Sequence, residues 1–350
     1  MNNLFIGNAY VNDNINNISY VALIAGMADQ WRKCQADADE FFAKGLAKST
    51  LKSYQSGIRR YKSFCTSLGR PSIPITEAAF VASLAKEGVS HASLRVYLSA
   101  LRHHQIESGH GDPGIPQMVR LEYILKGIKG DNVQSSNSRK DCQPITPSIL
   151  SRLFSVWEGS PDLRDAKMLW AAACLAFFGF LRVGEFTAPG VSQFDEETHL
   201  SVTDVSVNST QSPSMVFIRL KQSKTDQWRK GITIILGRTN KSPLCPVSSL
   251  LSYIVVRGMA PGPLFIRSNG HFLTRTHFVS EVKKAMEQAG MEASNFSGHS
   301  FRIGAASTAA AHSMEDSLIK TLGRWESDAY QRYIKIPREE LANYTVMLTS

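Results

Sequence analysis

A long apolar run, residues 168–181, ends directly in an arginine. It falls short of the roughly 20 residues with which a helix spans a bilayer, so we interpret it as a buried core helix. Arg182 follows at once, and Glu185 stands three residues further on, where its carboxylate can hold the guanidinium. The sequence therefore predicts a core helix that is followed directly by an arginine, whose guanidinium pairs with a nearby carboxylate.

The composition is that of a globular protein with room for more than one domain. The chain has 350 residues, of which 43% are hydrophobic and 20% are charged, enough for two separate cores. A Ser/Asn-rich stretch without apolar periodicity indicates a linker between them. We expect an N-terminal extension at residues 1–35, a helical domain at 36–130, the linker at 131–144 and a second domain at 145–350.

Charge and cysteine usage restrict the partners and the compartment. The formal net charge is +9, which makes a polyanion a natural partner but indicates only non-specific attraction. The five cysteines are scattered, without a zinc-type cluster or a disulfide framework, so we expect reduced thiols and an intracellular protein. Residues 20–27 are mildly apolar but lack a preceding basic segment, so neither a signal peptide nor a membrane anchor is expected.

Two helices of the first domain carry basic faces. Apolar residues recur at three- and four-residue steps between Leu51 and Leu68, before Gly69 and Pro71, and a second helix surrounds residues 94–101. Their candidate phosphate-binding residues are Lys52, Arg59, Arg60, Arg95 and Arg102. Two such faces suit binding to a phosphate backbone, and the alternative is that they are solvated helix surfaces.

The second domain is predicted to be mostly helical with one small antiparallel sheet. Thr146 is an N-cap candidate and Pro147 suits the first helical position. Residues 202–236 indicate the sheet, because segments 215–220 and 231–236 are rich in β-branched residues. Further helices are expected at 246–257, 275–289, 300–312 and 317–322, with a last one after Pro337.

Residues that can bind a phosphate occur at intervals along this domain. On a helix, His299 and Arg302 point off one face, so that an imidazole and a guanidinium can converge on one anion. Such a pair alone recurs by chance. Three further features accompany it: Arg182 upstream, Ser223-Lys224-Thr225 at the tip of the predicted hairpin, and Trp325 followed by tyrosines downstream.

The order of these residues resembles that of the tyrosine recombinases, the integrase family of DNA strand-exchange enzymes. The resemblance covers residues 49–337. It implies a helical core-binding (SAM-like) N-terminal domain and an α+β catalytic domain that uses no metal and no small-molecule cofactor. The set of catalytic residues that it implies is Arg182, Lys224, His299, Arg302, Trp325 and Tyr333.

Within that set, the two arginines would grip the phosphate, because guanidinium groups match its oxygens in a bidentate way. Lys224 would be the general acid, since Gln222-Ser223-Lys224-Thr225 resembles the hairpin of phage-type integrases. Lys221 and Lys230 are alternatives for that role.

The other residues donate hydrogen bonds or attack. His299 would donate to the phosphate or assist proton movement, and Trp325 would offer its indole N–H, although it is equally an aromatic core candidate. Tyr333 would be the nucleophile, because Tyr333-Ile334-Lys335 resembles the usual ending of the family motif. Tyr330, one helical turn earlier, is the rival.

The resemblance implies a site-specific recombinase that works through a covalent 3′-phosphotyrosine, as a homo-tetramer on double-stranded DNA. Residues 323–330 resemble most the recombinases of the eukaryotic DIRS-like and Crypton mobile elements, which implies action in the nucleus. Two alternatives remain: a type IB topoisomerase, and a domesticated DNA-binding protein without catalysis.

Overall fold

The structure is a computed structural model, and it describes residues 15–115, 118–135, 142–223 and 230–335. The chain divides into two compact units, residues 1–138 and 139–350. This division falls inside the stretch that the sequence predicts as a linker. Among the described residues, no helix is both long and apolar enough to cross a membrane.

The described part of the first unit is helical. Its helices are α1 (Ile15–Lys44), α2 (Lys48–Ser67), α3 (Glu77–Lys86), α4 (His91–Glu107) and α5 (Val119–Ser135). The apolar faces of α2 to α5 meet in one core around Tyr61, Phe80, Leu94 and Leu125. Gly69 adopts a positive φ just after α2, as expected for a residue that ends a helix.

Two predicted limits in this unit are wrong. Helix α1 crosses the predicted boundary between residues 35 and 36, and α5 continues five residues into the predicted linker, to Ser135. Residues 25–44 of α1 are almost entirely exposed, so this part of the helix needs no core-facing apolar stripe. Residues 1–35 were predicted only as an extension, and the Ser/Asn-rich composition after residue 130 was taken for a linker.

The second unit combines helices with one small sheet. Its helices are α6 (Pro147–Glu158), α7 (Leu163–Phe178), α8 (Val183–Phe186), α9 (Pro246–Arg257), α10 (Arg275–Gln288), α11 (Ser300–Ala311) and α12 (Asp316–Gly323), and a 3₁₀ helix covers Asp328–Tyr333. Thr146 caps α6 through its side chain, and Pro147 is its first residue, as predicted. The later helices agree with the predicted ranges within one residue at either end. The segment after Pro337 lies outside the described residues.

The sheet has the order β1-β2-β3, with strands at Val205–Val207, Met215–Leu220 and Ile232–Gly237. Both pairings are antiparallel, with Val207 opposite Val216 and Leu220 opposite Ile232. The predicted pairing of these two segments is confirmed, and most of the predicted hairpin tip lies outside the described residues. The overall architecture is therefore mainly α with one small antiparallel sheet, as the sequence predicts.

Helix α7 is the centre of the second core. Its residues from Met168 to Phe177 are all buried, which confirms the interpretation of the apolar run as a core helix. The helix ends at Gly179, and Phe180 takes a positive φ of 50°, which turns the chain back so that the Leu181 N–H bonds to the Ala176 carbonyl. This turn places Arg182 next to the C-terminal end of α7.

Candidate active site

Two left-handed turns form the floor of the site. One is Phe180 after α7, and the other is Arg324 after α12, with φ values of 50° and 56°. Such a conformation costs a non-glycine residue roughly 1–2 kcal/mol. It leaves the Phe180 carbonyl pointing at two arginines: Arg302 donates to it at 2.5 Å, and Arg324 donates to it at 3.2 Å. Charged donors on a buried carbonyl offset that cost.

Glu185 joins two of the arginines. One carboxylate oxygen accepts from the Arg182 guanidinium at 2.9 Å, and the other accepts from Arg324 at 2.9 Å and from the Arg182 backbone N–H at 2.9 Å. The predicted Arg182–Glu185 contact is confirmed. The Glu185 side chain is only 5% exposed, so the ion pairs lie away from water and are screened little.

Arg302 is the most enclosed member of the cluster, with no exposed surface. It donates to the carbonyls of Phe180 and Gly323, and its guanidinium carbon lies 4.1 Å from the centre of the Trp325 ring. Burial, followed by the charges of Arg182 and Arg324, lowers the pKa of Arg302 to about 9. The group therefore stays cationic at neutral pH, and its positive charge is only partly compensated.

Trp325 is a core residue and a candidate donor at once. It is 8% exposed, and its ring meets the rings of Phe180, Tyr330 and Tyr333 at 6.3, 6.2 and 5.1 Å. Gly323 is required beside it, because a Cβ at that position would overlap the Trp325 ring. Both sequence interpretations of Trp325 are therefore compatible with its position.

Three buried donors in this cluster have no hydrogen-bond partner among the described residues. They are Arg302 Nε, Arg324 Nε and Trp325 Nε1, and two further unpaired donors, on Arg164 and Arg267, lie elsewhere. An unsatisfied buried donor costs about 1–3 kcal/mol, so such groups call for an explanation. The Arg302 guanidinium stacks on the Trp325 ring, and each of these side chains keeps an N–H without a hydrogen bond. Such N–H groups can bind an anion.

The predicted pairing of His299 with Arg302 is only partly found. Both belong to the start of α11, where the Ile303 N–H bonds to the His299 carbonyl at 2.9 Å. His299, however, is the exposed N-cap residue, whereas Arg302 is fully buried. Within this first turn of α11, one side chain is therefore exposed to solvent and the other is enclosed in the core.

The two tyrosines differ in what they touch. Tyr333 is half-buried, and its ring centre lies 5.7 Å from the Arg302 guanidinium carbon. Tyr330 is 4% exposed and packs on Trp325. A hydrogen bond to Asp316, together with burial, raises the pKa of Tyr330, which disfavours its phenolate. Of the two, Tyr333 is the one placed against the arginine cluster.

The candidate general acid, Lys224, lies outside the described residues. Its rival Lys221 is already engaged, because it pairs with Asp204 at 2.8 Å and donates to the Glu196 carbonyl at 2.5 Å. Lys230 is exposed just before β3. Lys221 thus has a structural role at the end of the central strand β2 rather than being a free ammonium.

Comparison with known proteins shows which fold the chain shares. No protein-family model matches the chain. The integrase/recombinase XerD homolog of Selenomonas ruminantium is 25% identical over 304 residues, which are 83% of each chain. The XerH site-specific recombinase bound to a difH substrate has a similar fold, with a TM-score of 0.59, 12% identity and coverage of 88% of this chain and 82% of that one. A lambda integrase tetramer bound to a Holliday junction gives a TM-score of 0.53, 18% identity and coverage of 89% and 77%.

The chain therefore has the fold of these site-specific recombinases and integrases.

Arg324 is the site residue that the sequence did not predict. It donates to Glu185 and to the carbonyls of Gly179 and Phe180, and its side chain is 8% exposed. The only indication in the sequence was that Arg324 stands between Gly323 and Trp325. That position does not reveal its partner Glu185, which lies 139 residues away along the chain.

The basic residues of the first unit are arranged differently from the expectation. Arg60 pairs with Glu87, Arg95 with Glu122 at 2.8 Å, and Arg102 with both carboxylate oxygens of Asp112. Lys52 and Arg59 are exposed, and neither forms an ion pair within the part of the chain that the structure describes. Arg59 also lines an open groove of about 710 Å³ along α2, together with Lys62.

Proposed function

We propose that this chain is a site-specific DNA recombinase that cleaves and rejoins DNA through a covalent 3′-phosphotyrosine formed on Tyr333. One observation carries the proposal: the Tyr333 ring lies on the buried arginine cluster, beside the unpaired donors of Arg302 and Trp325. A phosphodiester bound there would receive those donors and would lie next to a phenol.

The proposed reaction is a transesterification. The Tyr333 phenol gives up its proton to solvent as its oxygen attacks the phosphorus, a P–O bond to tyrosine forms, and the bond to the 5′-oxygen breaks as that oxygen takes up a proton. Arg182, Arg302 and the Trp325 indole N–H stabilise the charge on the non-bridging oxygens, and His299 assists from the exposed start of α11. Attack by a 5′-hydroxyl on the phosphotyrosine reverses the step.

Arg302 is reached by a phosphate only after a local rearrangement. Its side chain has no exposed surface and is covered by the Trp325 and Tyr333 rings. We therefore propose that the segment carrying Tyr333 shifts when DNA binds, which opens Arg302 to the phosphate and releases the phenol for attack. Catalytic contacts of this kind often tighten only in the substrate complex.

Lys224 is proposed as the acid that protonates the 5′-oxygen. Its role is testable with a leaving group that needs no proton, a 5′-bridging sulfur in place of oxygen. We expect Lys224→Ala to slow cleavage of the ordinary duplex about 10²–10⁴-fold and to leave cleavage of the sulfur duplex nearly unchanged. Equal losses on both substrates would remove Lys224 from this role and direct attention to Lys230.

The assembly and the domain roles are part of the proposal. We propose that residues 36–130 bind duplex DNA, that residues 145–350 hold the catalytic site, and that four copies act on two DNA sites. The XerH complex with its difH substrate and the lambda integrase tetramer on a Holliday junction support this. Membership of the DIRS-like or Crypton recombinases, a mobile-element host and action in the nucleus stay predictions that rest on residues 323–330.

The decisive experiment traps the covalent intermediate. The protein is incubated with nicked suicide duplexes, and adducts that survive denaturation are counted for the wild type, Tyr333→Phe and Tyr330→Phe. We expect an adduct with the wild type and with Tyr330→Phe, and none with Tyr333→Phe. Loss of the adduct in Tyr330→Phe alone would reassign the nucleophile.

Two other outcomes would change the function itself. A wild-type protein that binds DNA but forms no adduct on any duplex would be a binding protein without catalysis. Relaxation of a supercoiled plasmid by monomers, without paired sites, would indicate a type IB topoisomerase.

A further inference from the structure

Arg324 occupies a backbone position that usually belongs to glycine. It follows the last residue of α12 with a φ of 56°, the left-handed conformation in which helices commonly end. Glycine adopts this conformation without strain, whereas a residue with a side chain does not. An arginine at such a turn is therefore accounted for by what its side chain contacts.

The protein engages both terminal nitrogens of the Arg324 guanidinium. Nη1 donates to the carbonyls of Gly179 and Leu322, at 3.0 and 3.4 Å. Nη2 donates to the Phe180 carbonyl at 3.2 Å and to Glu185 at 2.9 Å. These four acceptors use the four hydrogens of the two nitrogens, and of the side-chain donors only the Nε–H lacks a partner among the described residues. A single N–H cannot grip two phosphate oxygens, so Arg324 is not a third bidentate phosphate ligand.

Two of these acceptors connect Arg324 to the arginines that would bind the phosphate. One Glu185 oxygen accepts from Arg324 and the other accepts from the Arg182 side chain, both at 2.9 Å. The Phe180 carbonyl accepts from Arg324 and from Arg302. The Arg182 side chain is 17% exposed, twice as much as that of Arg324. Arg324 therefore reaches a bound phosphate only through its neighbours.

The charge of this cluster depends on Arg324. Glu185 beside Arg182 alone would form a neutral pair. With Arg324 on the second carboxylate oxygen and Arg302 on the shared carbonyl, three guanidinium groups and one carboxylate leave two net positive charges. When a phenolate attacks a phosphodiester, the pentavalent state carries two negative charges, one from each reactant. Charges held away from water act strongly on each other, so this match lowers the barrier.

We propose that Arg324 is a positioning residue: it holds Glu185 and neutralises its charge, so that Arg182 directs its own charge and donors to the scissile phosphate. The inference rests on the proposed function, because it concerns the same reaction. It assigns Arg324 to the cleavage step and not to DNA affinity.

The first test separates cleavage from binding in Arg324→Gly, in which glycine suits the left-handed turn. We expect the rate of adduct formation at saturating DNA to fall about 10²-fold, as a misplaced catalytic group causes, with an unchanged dissociation constant for the duplex. Ser313→Gly is the matched control, because Ser313 has the same φ of 56° at an exposed turn after α11 and should cleave like the wild type. An Arg324→Gly variant that cleaves like the wild type, or that is impaired in binding alone, would overturn the proposal.

The second test replaces the scissile phosphate by a methylphosphonate, which is neutral. Its pentavalent state carries one negative charge, so that one of the two net positive charges of the cluster is no longer needed. On this duplex, Arg324→Gly should cleave within about tenfold of the wild type. Equal losses on the two duplexes would show that Arg324 supports only the fold, and would contradict the proposal.

Arg324→Lys gives an independent readout, since it keeps the charge but loses the planar fork. Its loss should therefore be the same on the phosphate and the methylphosphonate duplex, and a loss that shrinks on the methylphosphonate would contradict the role of charge. A wild type that forms no adduct with either duplex would contradict the proposed function and, with it, any part of Arg324 in the reaction. A wild-type adduct without the selective loss in Arg324→Gly would contradict the role of Arg324 alone.

Discussion

Arginines in the two units of this chain occupy opposite physical settings. In the second unit, Arg302 and Arg324 are buried and bond to backbone carbonyls and to Glu185, and each keeps an unpaired Nε. In the first unit, Arg60, Arg95 and Arg102 have side chains that are 40–51% exposed, each paired with a carboxylate. The residue type is the same, but its distance from water differs.

That difference separates a specific site from a general surface. Charges held out of water interact strongly and in fixed directions, so a cluster of buried guanidinium groups can recognise one phosphate in one place. Exposed ion pairs contribute little and are screened by salt. The exposed basic residues of the first unit therefore suit general attraction to a polyanion. The buried arginine cluster of the second unit suits the binding of one phosphate in a fixed position.

The largest expected effect comes from replacing the most enclosed arginine. Arg302→Lys keeps the charge but cannot reach the carbonyls of Phe180 and Gly323 together and lacks the flat fork that stacks on Trp325. We expect cleavage to fall about 10²–10³-fold in single-turnover adduct formation. Arg95→Lys is the control from the exposed set. Equal effects of the two substitutions would erase the distinction between the units.

The next effect concerns the carboxylates that hold these arginines. Glu185→Gln removes the charge that joins Arg182 to Arg324 and leaves one buried and one partly buried guanidinium group uncompensated. We expect the free energy of unfolding to fall by about 3 kcal/mol in urea denaturation. The matched change, Asp112→Asn, breaks an exposed pair with Arg102 and should shift the urea midpoint far less. A larger loss in Asp112→Asn would contradict the burial argument.

Local signals in the sequence predicted most of the fold. Thr146 and Pro147 mark the start of α6, the apolar run marks α7, and the β-branched segments mark β2 and β3, because each signal acts within a few residues. Helix α1 was not predicted, since an exposed helix needs no core-facing pattern.

The candidate site was predicted in part. Glu185 holds Arg182 as expected because the two are three residues apart. The burial of Arg302, the part played by Arg324 and the carboxylate partners of the first unit depend on contacts between distant segments. Glu87 lies 27 residues from Arg60, and Glu185 lies 139 residues from Arg324, and no local pattern carries such pairings.

A smaller effect should distinguish the basic residues of the first unit from one another. Arg59 is exposed on the open groove along α2, whereas the charge of Arg102 is balanced by Asp112. We expect Arg59→Ala to lower the slope of log affinity against log salt by about 1, as loss of one phosphate contact does. Arg102→Ala should change the slope less. Fluorescence anisotropy with a labelled duplex at several salt concentrations measures both, and the reverse order would show that Arg102 exchanges Asp112 for a phosphate.

The smallest effect is the pH dependence of that same exposed pair. A hydrogen bond from Arg102 holds the pKa of Asp112 below its ordinary value of 3.8. Because the folded pKa is the lower one, the stabilisation is fully present above that ordinary value and is lost as the pH falls through the folded pKa. The difference in melting temperature between the wild type and Arg102→Met should therefore be small and constant from pH 7 to about pH 5 and should shrink as the pH falls below 3.8. Arg59→Met, which breaks no described ion pair, should show no such change. A difference that persists unchanged on acidification would mean that Arg102 stabilises the unit by packing rather than by charge, and the contrast with the buried cluster would then rest on Glu185 alone.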